Sequence, residues 1–149
     1  MDVRPAAPAD VPQLLALVRR YWDFEGIADF SALRIELLLT QLLTQSSLGA
    51  IWVAESQGRL AGYLIVVLVV SVEHQGVMGE IDEFFVLPEA RSRGVGARLL
   101  AAAESALARR GCTRLQLQLG VSNRGARAFY ERRGYAARSG YELLDKPLG

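Results

Sequence analysis

Two hydrophobic periods organise this chain. Leu14, Leu15, Val18 and Trp22 recur at helical spacing behind Asp10, which can cap the helix with Gln13 three residues on. A second helix is predicted after Asp29 or Ser31, with Leu33, Leu37 and Leu38 facing inward and an end around Gln45 to Gly49. The period then changes. Ala50–Glu55 and Arg59–Val72 read as strands joined by the hairpin chemistry of Ser56-Gln57-Gly58. The second run is almost wholly apolar and β-branched, which predicts a central strand covered on both faces. Glu73–Gly76 turns it into a strand beginning near Val77, whose apolar end, Ile81 to Leu87, stops at Pro88. Leu99, Leu100, Ala103 and Leu107 form a third helical stripe that closes at Arg109-Arg110-Gly111.

Thr113–Leu119 alternates Leu115, Leu117 and Leu119 with polar residues, as a half-buried strand does. Ser122 or Asn123 can cap a fourth helix carrying Ala126, Phe129, Tyr130 and Arg133 on one stripe, up to Gly134. Tyr135–Lys146 is predicted as one or two closing strands, and Met1–Pro5 as a short edge strand. This order predicts an α/β fold: a mixed, mostly antiparallel sheet of about six to seven strands flanked by about four helices.

Composition narrows the setting. At 149 residues and 51% hydrophobic, the expectation is a single globular domain over 1–149. The longest apolar run, Leu60 to Val70, contains Gly62 and falls short of the ~20 residues that span a bilayer, so no membrane association is expected. MDVRPAAPAD lacks the pattern of a signal peptide, which makes a cytoplasmic location the expectation. The lone Cys112 and the lone His74 exclude an internal disulfide and leave no His/Cys metal cluster.

Charge is divided unevenly. Residues 1–90 carry twelve acidic side chains against five arginines, a balance of −7, whereas residues 91–149 balance at +8. Such a molecule can hold an anionic cofactor with one half and a cationic substrate with the other. Nucleic acid is not expected, because the arginines are not interleaved with aromatics and the pI is only 7.9.

The candidate chemistry centres on Glu80 to Leu107. There a strand ends, Arg91-Ser92-Arg93-Gly94-Val95-Gly96 follows, and a helix begins. The first turn of a helix offers unpartnered N–H groups and the positive end of the dipole, and glycines let a phosphate approach them. No Gly-Lys-Ser/Thr ending is present for a P-loop. Leu99 stands where a GxGxxG fingerprint from Gly94 would need its third glycine.

Arg91 to Gly96 fits (Arg/Gln)-x-x-Gly-x-(Gly/Ala), and Asn123 to Tyr135 fits Asn-x-x-Ala-x-x-(Phe/Leu)-Tyr-x-x-x-Gly-(Phe/Tyr). Together with the element order, these segments resemble the GNAT superfamily of N-acetyltransferases over essentially the whole chain, with Ser92 in place of a frequent glycine. The lack of a His/Cys cluster makes no metal the expectation, and the resemblance implies acetyl-CoA as cosubstrate. It implies that the amides of Ser92, Arg93, Gly94, Val95, Gly96 and Ala97, flanked by Arg91, hold the pyrophosphate, and that the main chain of Phe84, Phe85 and Val86 pairs with the pantetheine arm. It further implies that Asn123 and Ala126 lie on that arm and that the Tyr130 hydroxyl protonates the departing thiolate. The alternatives are a simple helix cap for Asn123 and core packing for Tyr130.

Acetyl transfer to an amine needs a neutral nitrogen, and an alkylammonium has a pKa near 10, so a base is required. Glu80, Asp82 and Glu83 lie in an otherwise apolar strand, where burial and mutual repulsion raise carboxyl pKa values. The segment Glu80–Val86 is similar to that of the diamine (spermidine/spermine) acetyltransferases, whose acidic pair falls at Asp82 and Glu83. Either can be the base, and strand alternation puts them on opposite faces unless a bulge intervenes. The Val86 N–H is the expected oxyanion donor. For the acceptor, the family uses the first two helices and their loop, which here offers Trp22, Phe24 and Glu25; with Glu80 these suit a small cationic amine. A protein or peptide amine is the second choice, and a noncatalytic acyl-CoA sensor a third reading. The resemblance is compatible with a homodimer.

Overall fold

The computed structural model describes residues 1–149. Chain contacts divide it into two units, Met1–Leu117 and Gln118–Gly149. The first holds strands β1 (Asp2–Pro5), β2 (Gly49–Ser56), β3 (Arg59–Ser71), β4 (Gly76–Val86) and β5 (Leu115–Leu117), with helices α1 (Val11–Glu25), α2 (Ala32–Thr44) and α3 (Val95–Arg109). The strands form one sheet in the order β1-β2-β3-β4-β5, antiparallel except for the parallel β4–β5 pair. The second unit holds α4 (Arg124–Glu131).

Alternation along the central strands builds two apolar layers. Ile51, Val53, Tyr63, Ile65 and Phe85 face Leu14, Leu17 and Val18 of α1 and Leu39 of α2 in one buried cluster. Leu99, Leu100, Ala103 and Leu107 of α3 are all buried, the stripe the sequence predicts, against the other face of the sheet. Each buried Leu, Ile, Val or Phe among them contributes about 1.5–3 kcal/mol by leaving water. Gly79 in β4 lets the layers close: a Cβ there would come within 2.9 Å of Val66 and 3.0 Å of Leu115.

Local chemistry sets the ends of elements. Gln57 and Gly58 both take positive φ (51° and 77°) and make the two-residue turn between β2 and β3. Asp10 precedes α1 without a side-chain cap bond; its carboxylate instead accepts from Arg4 Nη1 (2.8 Å), Arg4 Nη2 (2.9 Å) and the Ala7 N–H (2.7 Å). Gln13 reaches the hairpin, donating to Gly58 O and accepting from the Leu60 N–H.

Three expectations are corrected. The sheet has five strands rather than six to seven, because Tyr135–Lys146 forms no strand. The alternating Tyr141 and Leu143, with Leu144, are exposed, so no apolar face is buried to hold a strand there. Leu33, Leu37 and Leu38 are exposed on α2 rather than in the core, to which the helix contributes Ile35, Leu39, Leu42 and Leu43. Lastly, β3 is covered on both faces only from Gly62 to Val66; it runs past the end of β2, and Val69 and Val70 are exposed.

Candidate active site

Strand β4 brings the carboxylates together through a bulge. Ile65 of β3 pairs with Glu83 and Val66 pairs with Ile81, so Asp82 is an extra residue without a partner on β3. Simple alternation would separate Asp82 from Glu83, yet both line one cavity of about 310 Å³. Its other walls are Val18 of α1, Ile35, Leu38 and Leu42 of α2, and Ile65 and Val67 of β3.

Glu83 is the fixed member of the pair. Trp22 Nε1 donates to its Oε2 at 2.8 Å and the Tyr63 hydroxyl donates to its Oε1 at 2.9 Å. Burial pushes its carboxyl above the ordinary range, the two hydrogen bonds to the charged form oppose that rise, and Asp82 adds to it. Asp82 is more exposed and makes no hydrogen bond; partial loss of water and then Glu80 raise its carboxyl too. Burial, with Glu83 next to it, pushes the Tyr63 phenol up, so it remains a donor at any working pH.

The predicted acceptor residues divide. Trp22 anchors Glu83 and meets Phe30 edge-on at 5.4 Å between ring centroids. Phe24, exposed, packs its ring near Phe85 and under the Arg91 guanidinium at 5.0 Å. Glu25 is exposed at the end of α1. Glu80 accepts from Gln116 Nε2 at 3.3 Å. None of these four lines the cavity. Sequence reasoning missed Tyr63 and the α2 lining. The available signal for Tyr63 was a hydroxyl inside the apolar run Leu60–Val70, which must find a partner.

On either side of Pro88 the chain offers a strand edge and a helix start that could hold a cofactor arm and a polyphosphate. Pairing of β4 with β5 covers only Gly79 to Ile81 and ends at Leu117. The Val86 carbonyl at the end of β4 accepts from Arg91 Nε at 2.9 Å. Beyond it, Ser92 (φ 64°) and Gly94 (φ 74°) turn the chain into α3, which starts with no side-chain cap. The amides of Val95, Gly96 and Ala97 therefore present the donors and dipole that favour an anion. A Cβ on Gly94 would meet nothing within 4 Å, so its role is the left-handed turn rather than close packing. Arg91 points back over Phe24 and Phe85 and leaves charge near the loop to Arg93 and Arg98, both exposed.

In the second unit, Asn123 caps α4: its Oδ1 accepts from the Ala126 N–H at 3.1 Å. Tyr130 is buried, with its ring 5.2 Å from that of Phe129 and 5.4 Å from that of Tyr135.

With this geometry, the comparisons with known proteins define the class. Residues 12–135 match the model of the Acetyltransferase (GNAT) family. The chain belongs to that family and is an acetyltransferase. It is similar to YhfO of Bacillus subtilis (strain 168), described as an uncharacterized N-acetyltransferase: 30% identical over 141 residues, spanning 95% of this chain and 93% of that one. Among solved structures it is similar to an integron cassette protein from the mobile metagenome of Cole Harbour Salt Marsh, with TM-score 0.86 and 30% identity over 99% of this chain and 90% of the other. It shares its fold with a predicted acetyltransferase from Clostridium acetobutylicum solved with acetyl-CoA, with TM-score 0.81 and 17% identity over 97% and 95% of the two chains.

Proposed function

We propose that this protein transfers an acetyl group from acetyl-CoA to a primary amine with Glu83 as the base. The observation that carries this reading is the Glu83 carboxylate, oriented by Trp22 and Tyr63 and lining a cavity between β4 and the helices α1 and α2.

Bound acetyl-CoA supplies a thioester carbon for attack. The chain's own residues do the rest. The uncapped start of α3 and the Ser92–Ala97 amides receive the pyrophosphate, and the main chain of Phe84, Phe85 and Val86 on β4 pairs with the arm's amides. Asp82 attracts the substrate ammonium. Glu83 takes the proton that converts it to a nucleophilic amine, a task its raised pKa favours. The N–C bond forms as the C–S bond breaks, with the Val86 N–H as oxyanion donor. Tyr130 Oη, in the Asn123–Tyr135 motif, gives a proton to the sulfur. The nitrogen's second proton, lost as the amide forms, balances the one Tyr130 gives.

Asn123 Oδ1 accepts the cap bond of α4, and we assign the side chain's remaining donors and lone pair to the cofactor arm. The family match runs across the boundary at Leu117, which supports one N-acetyltransferase domain made of both units. The test is CoA release from acetyl-CoA across polyamines, amino acids, aminoglycosides, monoamines and short peptides. Amine-dependent release supports the reading; acetyl-CoA binding without release for any amine supports a sensor instead.

A further inference from the structure

The cavity beside Glu83 is acidic in one place only. Asp82 and Glu83 are adjacent on β4, and the remaining lining is Leu, Ile and Val except for Gln41 of α2. A strand-to-helix cleft of this kind has no carboxylate for a second positive charge. Two features of α2 fit this use: Leu38 is 53% exposed and Leu48, just beyond the helix, is 40% exposed, and both line the cavity rather than the core. Their apolar surface stands in water, and a bound apolar group would cover it.

We infer that the acceptor is a monoamine: one primary ammonium at the Asp82–Glu83 end of an apolar alkyl or arylalkyl body, rather than a polyamine or an aminoglycoside. Apart from Asp82, Glu83 and Gln41 the lining has no polar side chain to meet the hydroxyls and several ammonium groups of an aminoglycoside. A polyamine would set its second ammonium among leucine, isoleucine and valine side chains, with no further carboxylate in the lining to pair it. Phenethylamine and hexylamine meet both conditions. The inference rests on the acetyltransfer reading for its chemistry, but the cavity's preference between amines is a property of binding.

The experiment compares hexylamine with hexamethylenediamine, which share a chain and differ by one terminal ammonium. The expected result is a kcat/KM at least about tenfold higher for hexylamine. Leu38→Asp places a carboxylate on the α2 wall at a half-exposed position that tolerates it, and the ratio is expected to shrink or invert. Equal or greater turnover of the diamine by the wild type would overturn the inference while leaving the acetyltransferase intact. If no amine in the wider panel releases CoA, the acetyltransfer reading falls, and calorimetric binding decides the inference. Tighter binding of hexylamine than of the diamine supports it, and no preference overturns it.

Discussion

The Tyr63 hydroxyl donates to Glu83 Oε1 at 2.9 Å from a side chain that is wholly buried. With Trp22 on the other oxygen, this bond fixes the carboxylate and favours its ionised form. Tyr63→Phe removes a donor and leaves a half-buried charge less satisfied. It should lower stability by about 1–2 kcal/mol. The acid limb of the kcat/KM profile, which rises as Glu83 loses its proton, should move to higher pH. A role confined to packing would leave that limb in place, and the pH–rate profile separates the two.

Burial raises the Glu83 pKa, so its contribution to stability has a definite sign. Stability from a carboxyl of this kind is fully present below its unfolded pKa and is lost as pH rises through the folded one. Glu83→Gln carries no charge to bury. The variant should therefore melt no lower than wild type at pH 8 and lose that advantage in acid. Melting curves at the two pH values check this.

Asp10 has the opposite sign. Its carboxyl is held below the ordinary range, first by the Arg4 hydrogen bonds, so its contribution is present above the unfolded pKa and is lost as pH falls through the folded one. Arg4 is partly exposed, which moderates the effect. Asp10→Asn should cost about 1–3 kcal/mol at neutral pH, with the difference from wild type shrinking in acid. Denaturant titration at pH 7 and pH 3 measures it.

Ser92 adopts φ 64°, a conformation that favours glycine. Ser92→Gly should raise stability by up to about 1 kcal/mol, the relief of strain being partly offset by the freedom glycine adds to the unfolded chain. Gly94→Ala, at φ 74°, should lose about 1 kcal/mol and weaken acetyl-CoA binding through the turn. Thermal melts with and without acetyl-CoA read both effects.

Much of the fold was legible because local chemistry and burial agree. The stripe Leu99, Leu100, Ala103, Leu107 is buried as its spacing predicts, and Gln57-Gly58 makes the hairpin turn. On α2 the pattern was ambiguous: with leucines at 33, 37, 38, 39, 42 and 43, two faces are apolar, and only packing chooses Leu39 over Leu37 for the core. The exposed Leu38 belongs to the cavity wall, a role hydropathy cannot distinguish from core. The acidic pair on β4 was visible, but the side each residue takes depends on the register with Ile65 and Val66 of a different strand. Tyr63 was hidden for the same reason: its partner lies 20 residues away.

The central claim is that Glu83 is the base of an amine acetyltransferase. The most direct test is kcat/KM for amine-dependent CoA release as a function of pH, with wild type, Glu83→Gln and Asp82→Asn side by side. The account predicts that Glu83→Gln loses about 10²–10⁴-fold and its acid limb, while Asp82→Asn keeps the limb and loses mainly in KM. Wild-type turnover by Glu83→Gln, or a limb that disappears with Asp82→Asn instead, would contradict it.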